Sequence, residues 1–149
     1  MTIESKPFGS IDVDDRQRLR FPDGLFGFED LTRFALLDSA QPPFYWLQSL
    51  ERGDTAFVLI KPELFRPDYT PDLMPGEIEE IGIDESERAL VFSIVTIPED
   101  QARMTANLQG PIVINKRTMV GRQAIPTNPV WRVRHYVLDE LAAVRNRAC

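Results

Sequence analysis

Proline, glycine and aspartate cut this chain into short pieces, and that punctuation restricts the fold more than any other feature. There are 12 prolines in 149 residues. Each fixes its own φ and removes a backbone donor, so each ends a strand or sets a loop. Between the breaks lie short apolar or alternating segments, the pattern of strands. Ile11 and Val13 alternate with Ser10, Asp12 and Asp14, which predicts a half-buried strand. Residues 33–38 and 44–49 predict two more, separated by Ala40-Gln41-Pro42-Pro43. Residues 55–60 are apolar on both alternating faces, which places them centrally in a sheet. Residues 89–97 read the same way and predict the core strand. Residues 111–115 and 118–125 follow. In 130–137, Trp131, Val133, His135 and Val137 fall on one face, with Arg132, Arg134 and Tyr136 on the other. Many short strands with frequent turns predict an all-β fold: a small barrel-like or sandwich domain of antiparallel strands with one or two short helices.

The two helices are expected at 75–81 and 138–147. In the first, Glu77, Glu79 and Glu80 lie early, where the macrodipole favours acids. Ile78 and Ile81 share a face, and Gly82 is placed to stop the helix. In the second, Leu138, Leu141 and Ala142 form the apolar side. Asp139 and Glu140 sit in the first turn, and Arg145 and Arg147 in the last. With no repeat and no linker, 1–149 reads as one domain whose residues 138–149 form a short helical tail.

Charge restricts the partners. The formal net charge is −6, which disfavours a broad nucleic-acid surface by Coulomb repulsion. The total hides an asymmetry: residues 1–100 carry 9 Lys/Arg against 21 Asp/Glu, and residues 101–149 carry 8 against 2. If the halves interleave in one fold, they partly neutralise each other. If they do not, an acidic face is left to recognise a basic partner. The run Glu77, Glu79, Glu80, Asp84, Glu85, Glu87 is the densest acidic stretch, and reads as either a solvated helix and turn or an attracting field. No apolar run is long enough to span a bilayer, and the N-terminus lacks a signal-peptide pattern. With a single cysteine, Cys149, this points to the cytoplasm.

Catalytic equipment is sparse. His135 is the only histidine, and its neighbours predict a packed, satisfied ring. A serine or cysteine nucleophile needs a base, and no nucleophile-elbow motif is present. One His and one Cys cannot supply the usual zinc set. The 8 glycines match neither phosphate-cradling pattern, and no EF-hand spacing occurs. The expectation is a protein that is not an enzyme, with no cofactor and no metal. Phe65-Arg66-Pro67-Asp68-Tyr69 lies between Pro62 and Pro71. Its aromatics serve either as anchors on a stiffened loop or as plugs for the end of a barrel.

Several stretches resemble the FliW family. They are Thr2-Ile3 to Phe8-Gly9, then Phe21-Pro22-Asp23-Gly24-Leu25-Phe26-Gly27-Phe28-Glu29, Phe34-Ala35-Leu36-Leu37 and Pro43-Phe44-Tyr45-Trp46-Leu47-Gln48-Ser49. Ala56-Phe57-Val58 and Asp68-Tyr69 follow, and Met104-Thr105-Ala106-Asn107-Leu108-Gln109-Gly110-Pro111-Ile112-Val113-Ile114-Asn115 closes the series. Phe26 stands where the family often has proline. Residues 123–129 and the tail after Tyr136 depart from the family's pattern.

The resemblance implies a barrel-like protein that binds flagellin and the RNA-binding translational repressor CsrA, in mutually exclusive complexes. Bound to CsrA, it relieves repression of flagellin translation; captured by flagellin, it releases CsrA. Free, it is expected to be monomeric, with no direct contact to nucleic acid and none to membrane. For partner contacts, the loop residues Pro67, Asp68 and Tyr69 are chosen because an aromatic beside an acid suits a basic, partly apolar partner. Asn107 and Asn115 lie in the most family-specific stretch, although either could merely close a turn. The alternative reading is an RNA-binding module in the basic C-terminal third, using Arg132, Arg134, Arg145 and Arg147 beside Tyr136.

Overall fold

The chain begins with a hairpin in which β1 (Thr2–Ser5) pairs antiparallel with β2 (Gly9–Asp12). The computed structural model describes residues 1–83 and 89–148, and the side chains up to Asn146. Asp84, Glu85, Glu87, the Arg147 side chain and Cys149 lie outside the described residues. Next come β3 (Arg18–Arg20), β4 (Arg33–Asp38), β5 (Tyr45–Ser49) and β6 (Ala56–Ile60), then the short helix α1 (Pro75–Glu79). They are followed by β7 (Ala89–Thr96), β8 (Thr105–Ala106), β9 (Ile112–Asn115), β10 (Val120–Gln123), β11 (His135–Tyr136) and the helix α2 (Val137–Ala148).

Among the described residues, seven strands close a barrel in the order β3-β4-β5-β6-β7-β9-β10 and back to β3. The expected antiparallel pattern holds around the ring with one exception: β10 meets β3 in parallel, through Val120 and Arg20. The long β7 serves two partners on one side. Residues 89–92 pair with β9, and Val95 and Thr96 pair with β8, which in turn holds β11. The sheet therefore divides at β7, and one end of the barrel stays open on that side.

Both faces of the central strands are apolar because both are buried. Phe34, Leu47, Leu59, Phe92, Ile112 and Ile114 fill the barrel, with Phe57, Leu90 and Ile94 packed against them. Their sequence neighbours point outward into three covering layers. Ala35 and Leu37 lie under the N-terminal hairpin with Ile3 and Val13. Val113 and Ala89 lie under α1 with Ile78 and Ile81. Ile60 and Val95 lie under Phe65, Trp131 and Val137. A strand covered on both sides loses its period-two signature and reads as a continuous apolar run.

Helix α1 ends at Glu79, two residues short of the expected 75–81, but the turn after it closes on Gly82 as the sequence signal suggests. Gly82 has φ +73, a conformation that only glycine adopts at little cost. Its N–H donates to the Glu79 carbonyl at 2.9 Å, and the Ile83 N–H donates to the Ile78 carbonyl at 3.2 Å. This is the Schellman pattern, with Ile78 and Ile83 in contact with the same apolar cluster.

Two further expectations are corrected. The strand predicted over 130–137 shrinks to β11, and the helix begins at Val137 rather than Leu138. Asn128 causes the difference. Its side chain accepts the Val130 N–H at 3.0 Å and its carbonyl accepts from Trp131 at 3.3 Å, so a local turn replaces the ladder. Trp131, His135 and Val137 still go inside, but Val133 is 54% exposed. Strands β3 and β8 carry no periodic signal, since three and two residues are held only by their distant partners.

Candidate functional site

The open end of the barrel is a groove of about 530 Å³. Leu25, Phe57 and Ile94 line it and continue into the barrel core. One wall is Phe26. The other is formed by Val133, Arg134 and Tyr136, with Arg103, Thr105 and Asn107 alongside. A smaller hollow shares Phe26, Asn107 and Val133 and adds Ile125. Mouths of β-barrels are a common place for binding sites, and here the walls carry large apolar side chains in the open. Phe26, Ile125 and Val133 are each 54% exposed.

The segment 21–29 builds the Phe26 wall. Phe21 is fully buried against Phe34, ring centroids 5.4 Å apart. Gly24 at φ +67 passes so close to the backbone at Phe28 and Glu29 that a Cβ there would lie 2.5 Å from the Phe28 carbonyl oxygen. The Leu25 and Phe28 backbones bond to each other around Phe26 and Gly27. With φ +85 at Gly27, this is a type II turn, whose second position favours proline and whose third requires glycine. Phe26 takes that second position without disturbing the turn and presents its ring at the apex. Gln123, buried in β10, accepts the Phe26 N–H at 2.8 Å and donates to the Gly110 carbonyl at 3.1 Å. The turn is thereby fixed to the barrel.

On the opposite wall, the Arg103 guanidinium sits 5.0 Å from the Tyr136 ring centroid and donates to its hydroxyl at 3.1 Å. Among the described residues, no carboxylate pairs with Arg103 or Arg134. The two halves of the chain do neutralise each other elsewhere: Arg122 is paired with Asp23 and Glu80, with Glu77 4.0 Å away. Part of the acidity of residues 77–80 thus faces Arg122 of β10, while the groove keeps its two arginines.

The five residues singled out from the sequence fall in three places. Pro67 and Asp68 are exposed on the loop after β6. Arg66 donates two bonds to Asp68, both 2.9 Å, and one to Glu140 of α2 at 2.6 Å, and it stacks 4.8 Å from the Trp131 centroid. Asp68, and less strongly Glu140, hold this guanidinium charged. Tyr69 is half-buried. Its hydroxyl donates to the Leu108 carbonyl at 2.8 Å and its ring meets Trp131 edge-on at 4.7 Å. Burial pushes its phenol up, well above the ordinary value of 10. Phe65 is wholly buried in the layer that covers Ile60 and Val95, so it is neither an exposed anchor nor a plug for the barrel's end. Asn107 lines the groove, and its side chain accepts the Gln109 N–H at 2.9 Å. Asn115 is only 2% exposed. It donates to the Ile81 carbonyl at 2.9 Å and accepts from Arg117 at 3.0 Å, closing the turn after β9.

The sequence reasoning missed Phe26, Arg103 and Val133 as groove residues. Phe26 had one signal, its standing at a position where proline is usual. Arg134 and Tyr136 had been noticed only as candidates for RNA contact.

His135 is a packed side chain. Its Nε2 accepts the Arg132 N–H at 2.9 Å, which leaves Nδ1 to carry the proton and donate to Glu140 at 3.1 Å. Among the described residues, no serine or threonine hydroxyl bonds to either nitrogen. Among the described residues, no three His, Cys, Asp or Glu side chains cluster to hold a metal. No helix among them is long and apolar enough to cross a membrane.

The sequence profile of the FliW protein family matches residues 2–137. The chain belongs to the FliW family. It is 47% identical over 142 residues to the flagellar assembly factor FliW of Leptospira interrogans (strain 56601), covering 94% of this chain and 95% of that one. It is 42% identical over 147 residues to the flagellar assembly factor FliW of Treponema denticola, covering 98% and 100%. A crystal structure of the flagellar assembly factor FliW matches with a TM-score of 0.84 at 34% identity, over 92% of this chain and 96% of the other. The all-β barrel expected from the sequence is thus the family's fold. The FliW profile stops at residue 137, where α2 begins, and the alignment to the Treponema relative covers 98% of this chain.

Proposed function

We propose that this chain is a cytoplasmic flagellar assembly factor that acts by occupancy, not by catalysis, with flagellin and CsrA as alternative partners. The observation that supports it most is the exposed apolar mouth of the barrel in a member of the FliW family. Phe26, Val133 and Tyr136 line it, and an open apolar patch of this kind marks a protein contact. Bound to CsrA, the acidic chain opposes RNA phosphate across roughly a Debye length, about 8 Å at physiological salt. It weakens RNA binding without covering the RNA site. The coupling is reciprocal, so RNA weakens the complex by the same factor. Flagellin takes the chain away from CsrA and restores repression. Pro67 and Asp68, at the exposed tip beside α2, and Asn107, in the mouth, are the proposed partner contacts. Tyr69 supports the loop from beneath through its bond to the Leu108 carbonyl, and Asn115 serves by closing the turn after β9.

Calorimetry with purified flagellin and purified CsrA tests this. The expected result is saturable binding to each and loss of one complex on adding the other partner. Binding to neither ends the reading. A second reading, contact with RNA, is favoured by Arg103 and Arg134, which line the groove with Tyr136 and have no carboxylate partner among the described residues. A gel shift that weakens with salt, seen with the chain alone, would support it.

A further inference from the structure

The groove differs in sign from the rest of the molecule. The chain carries −6 overall, yet the groove's charged lining consists of Arg103, Arg134 and Asp100. The Asp100 carboxylate is engaged in capping the turn at Gln101–Arg103, where it accepts the Ala102 N–H at 3.1 Å. Among the described residues neither guanidinium forms an ion pair with a carboxylate, and that of Arg103 is held in place over the Tyr136 ring. Between them and Phe26 lies an apolar floor. A cationic rim over an apolar floor matches a segment that carries both carboxylates and large apolar side chains. The net negative charge of the remainder of the chain disfavours such a segment elsewhere on average.

We infer that the barrel mouth receives an acidic, apolar-faced segment of a protein partner. Its apolar side chains pack between Phe26, Ile94 and Val133, and its carboxylates pair with Arg103 and Arg134. This rests on the protein-binding function proposed above and adds the sign of the ligand. Main-chain pairing contributes little, because the edge strand β11 has two residues, too short to template a partner strand. Recognition is by side chains. A basic segment, by contrast, belongs to the acidic remainder of the surface.

The test uses overlapping 20-residue peptides tiled across flagellin and CsrA, with fluorescence anisotropy as the readout. The intact proteins are titrated in parallel. Wild type is compared with Arg134→Glu and Phe26→Ser, both at exposed positions. Circular dichroism and thermal melting check that each variant is folded. The expected peptides are net acidic, bind more weakly as salt rises, and lose at least tenfold in affinity with either variant. A charge-reversed copy, with Lys for each Glu and Asp, fails to bind.

Several results overturn the inference and leave the proposed function standing. One is an intact partner that binds wild type and both variants equally. Another is a set of bound peptides that are net basic. A third is a concentration-dependent dimer that the variants abolish, which would make a second copy the occupant. Single-stranded RNA that binds wild type but neither variant would assign the mouth to nucleic acid. If neither intact partner nor any peptide binds wild type, the proposed function fails and takes the inference with it.

Discussion

His135 and Glu140 meet across the junction of β11 and α2, Nδ1 to Oε1 at 3.1 Å. The same Glu140 oxygen receives Arg66 from the loop after β6 at 2.6 Å. One carboxylate thus ties three elements together: the last strand, the last helix and the loop that carries Pro67 and Asp68.

Glu140→Ala should destabilise the protein by about 1.5–3 kcal/mol, the usual range for hydrogen bonds to charged groups. Arg66 keeps Asp68, so the loop stays folded while α2 loosens. Urea denaturation gives the first number, and faster amide exchange confined to α2 checks the second. A stability change below about 0.5 kcal/mol, the level of an ordinary surface substitution, would show that the helix is held by Val137 and Leu141 alone.

Tyr69 makes stability fall at high pH. Its ionisation is raised by burial in the folded chain and is ordinary in the unfolded one, near 10. The unfolded state therefore releases its proton first. The contribution is complete below pH ~10 and is lost as pH rises through the folded value. Tyr69→Phe should lower stability at neutral pH by about 1 kcal/mol, for the bond to Leu108, and should flatten the alkaline decline. Melting temperatures of both proteins between pH 8 and 11.5 decide it. Parallel curves would mean another group titrates.

The two glycines of the Phe26 turn should respond differently to a methyl group. At Gly27 a Cβ meets nothing within 4 Å, so Gly27→Ala costs only the left-handed backbone, about 1–2 kcal/mol. At Gly24 the Cβ would collide with the Phe28 carbonyl at 2.5 Å. Backbone cannot move aside cheaply, and Gly24→Ala should cost more than about 3 kcal/mol. Chemical denaturation of the pair tests the difference, and equal costs would refute the geometry.

Asn115→Ala should act on stability and leave partner affinity alone. It orphans the Ile81 carbonyl and the Arg117 N–H, at about 1–3 kcal/mol. Calorimetry on the folded fraction should give the wild-type affinity for flagellin and CsrA. A tenfold loss there would make Asn115 a contact after all.

Much of the barrel was legible because its strands have local signals. Residues 33–38 emerge as β4 to the residue, and Gly82 closes the turn after α1 by the mechanism its sequence position suggests. The C-terminal strand was misread because Trp131, His135 and Val137 do go inside while Asn128 breaks the ladder between them. Burial pattern and hydrogen bonding are separate properties, and periodicity reports only the first. Of the site, Pro67 and Asp68 could be placed on a loop and Asn107 in an informative stretch. Phe26 and Arg103 could not be joined to Tyr136, because they lie on distant parts of the chain.

The amino-acid order alone determined the strand-rich class, the turn positions and the family resemblance, since these depend on neighbours a few residues apart. Tertiary structure decided which end of the barrel stays open and which charges find partners. Arg122 meets Asp23, Glu77 and Glu80 and is neutralised; Arg103 and Arg134 meet none among the described residues. Those outcomes depend on how β7 divides its edge between β8 and β9, a long-range pairing that no local pattern encodes.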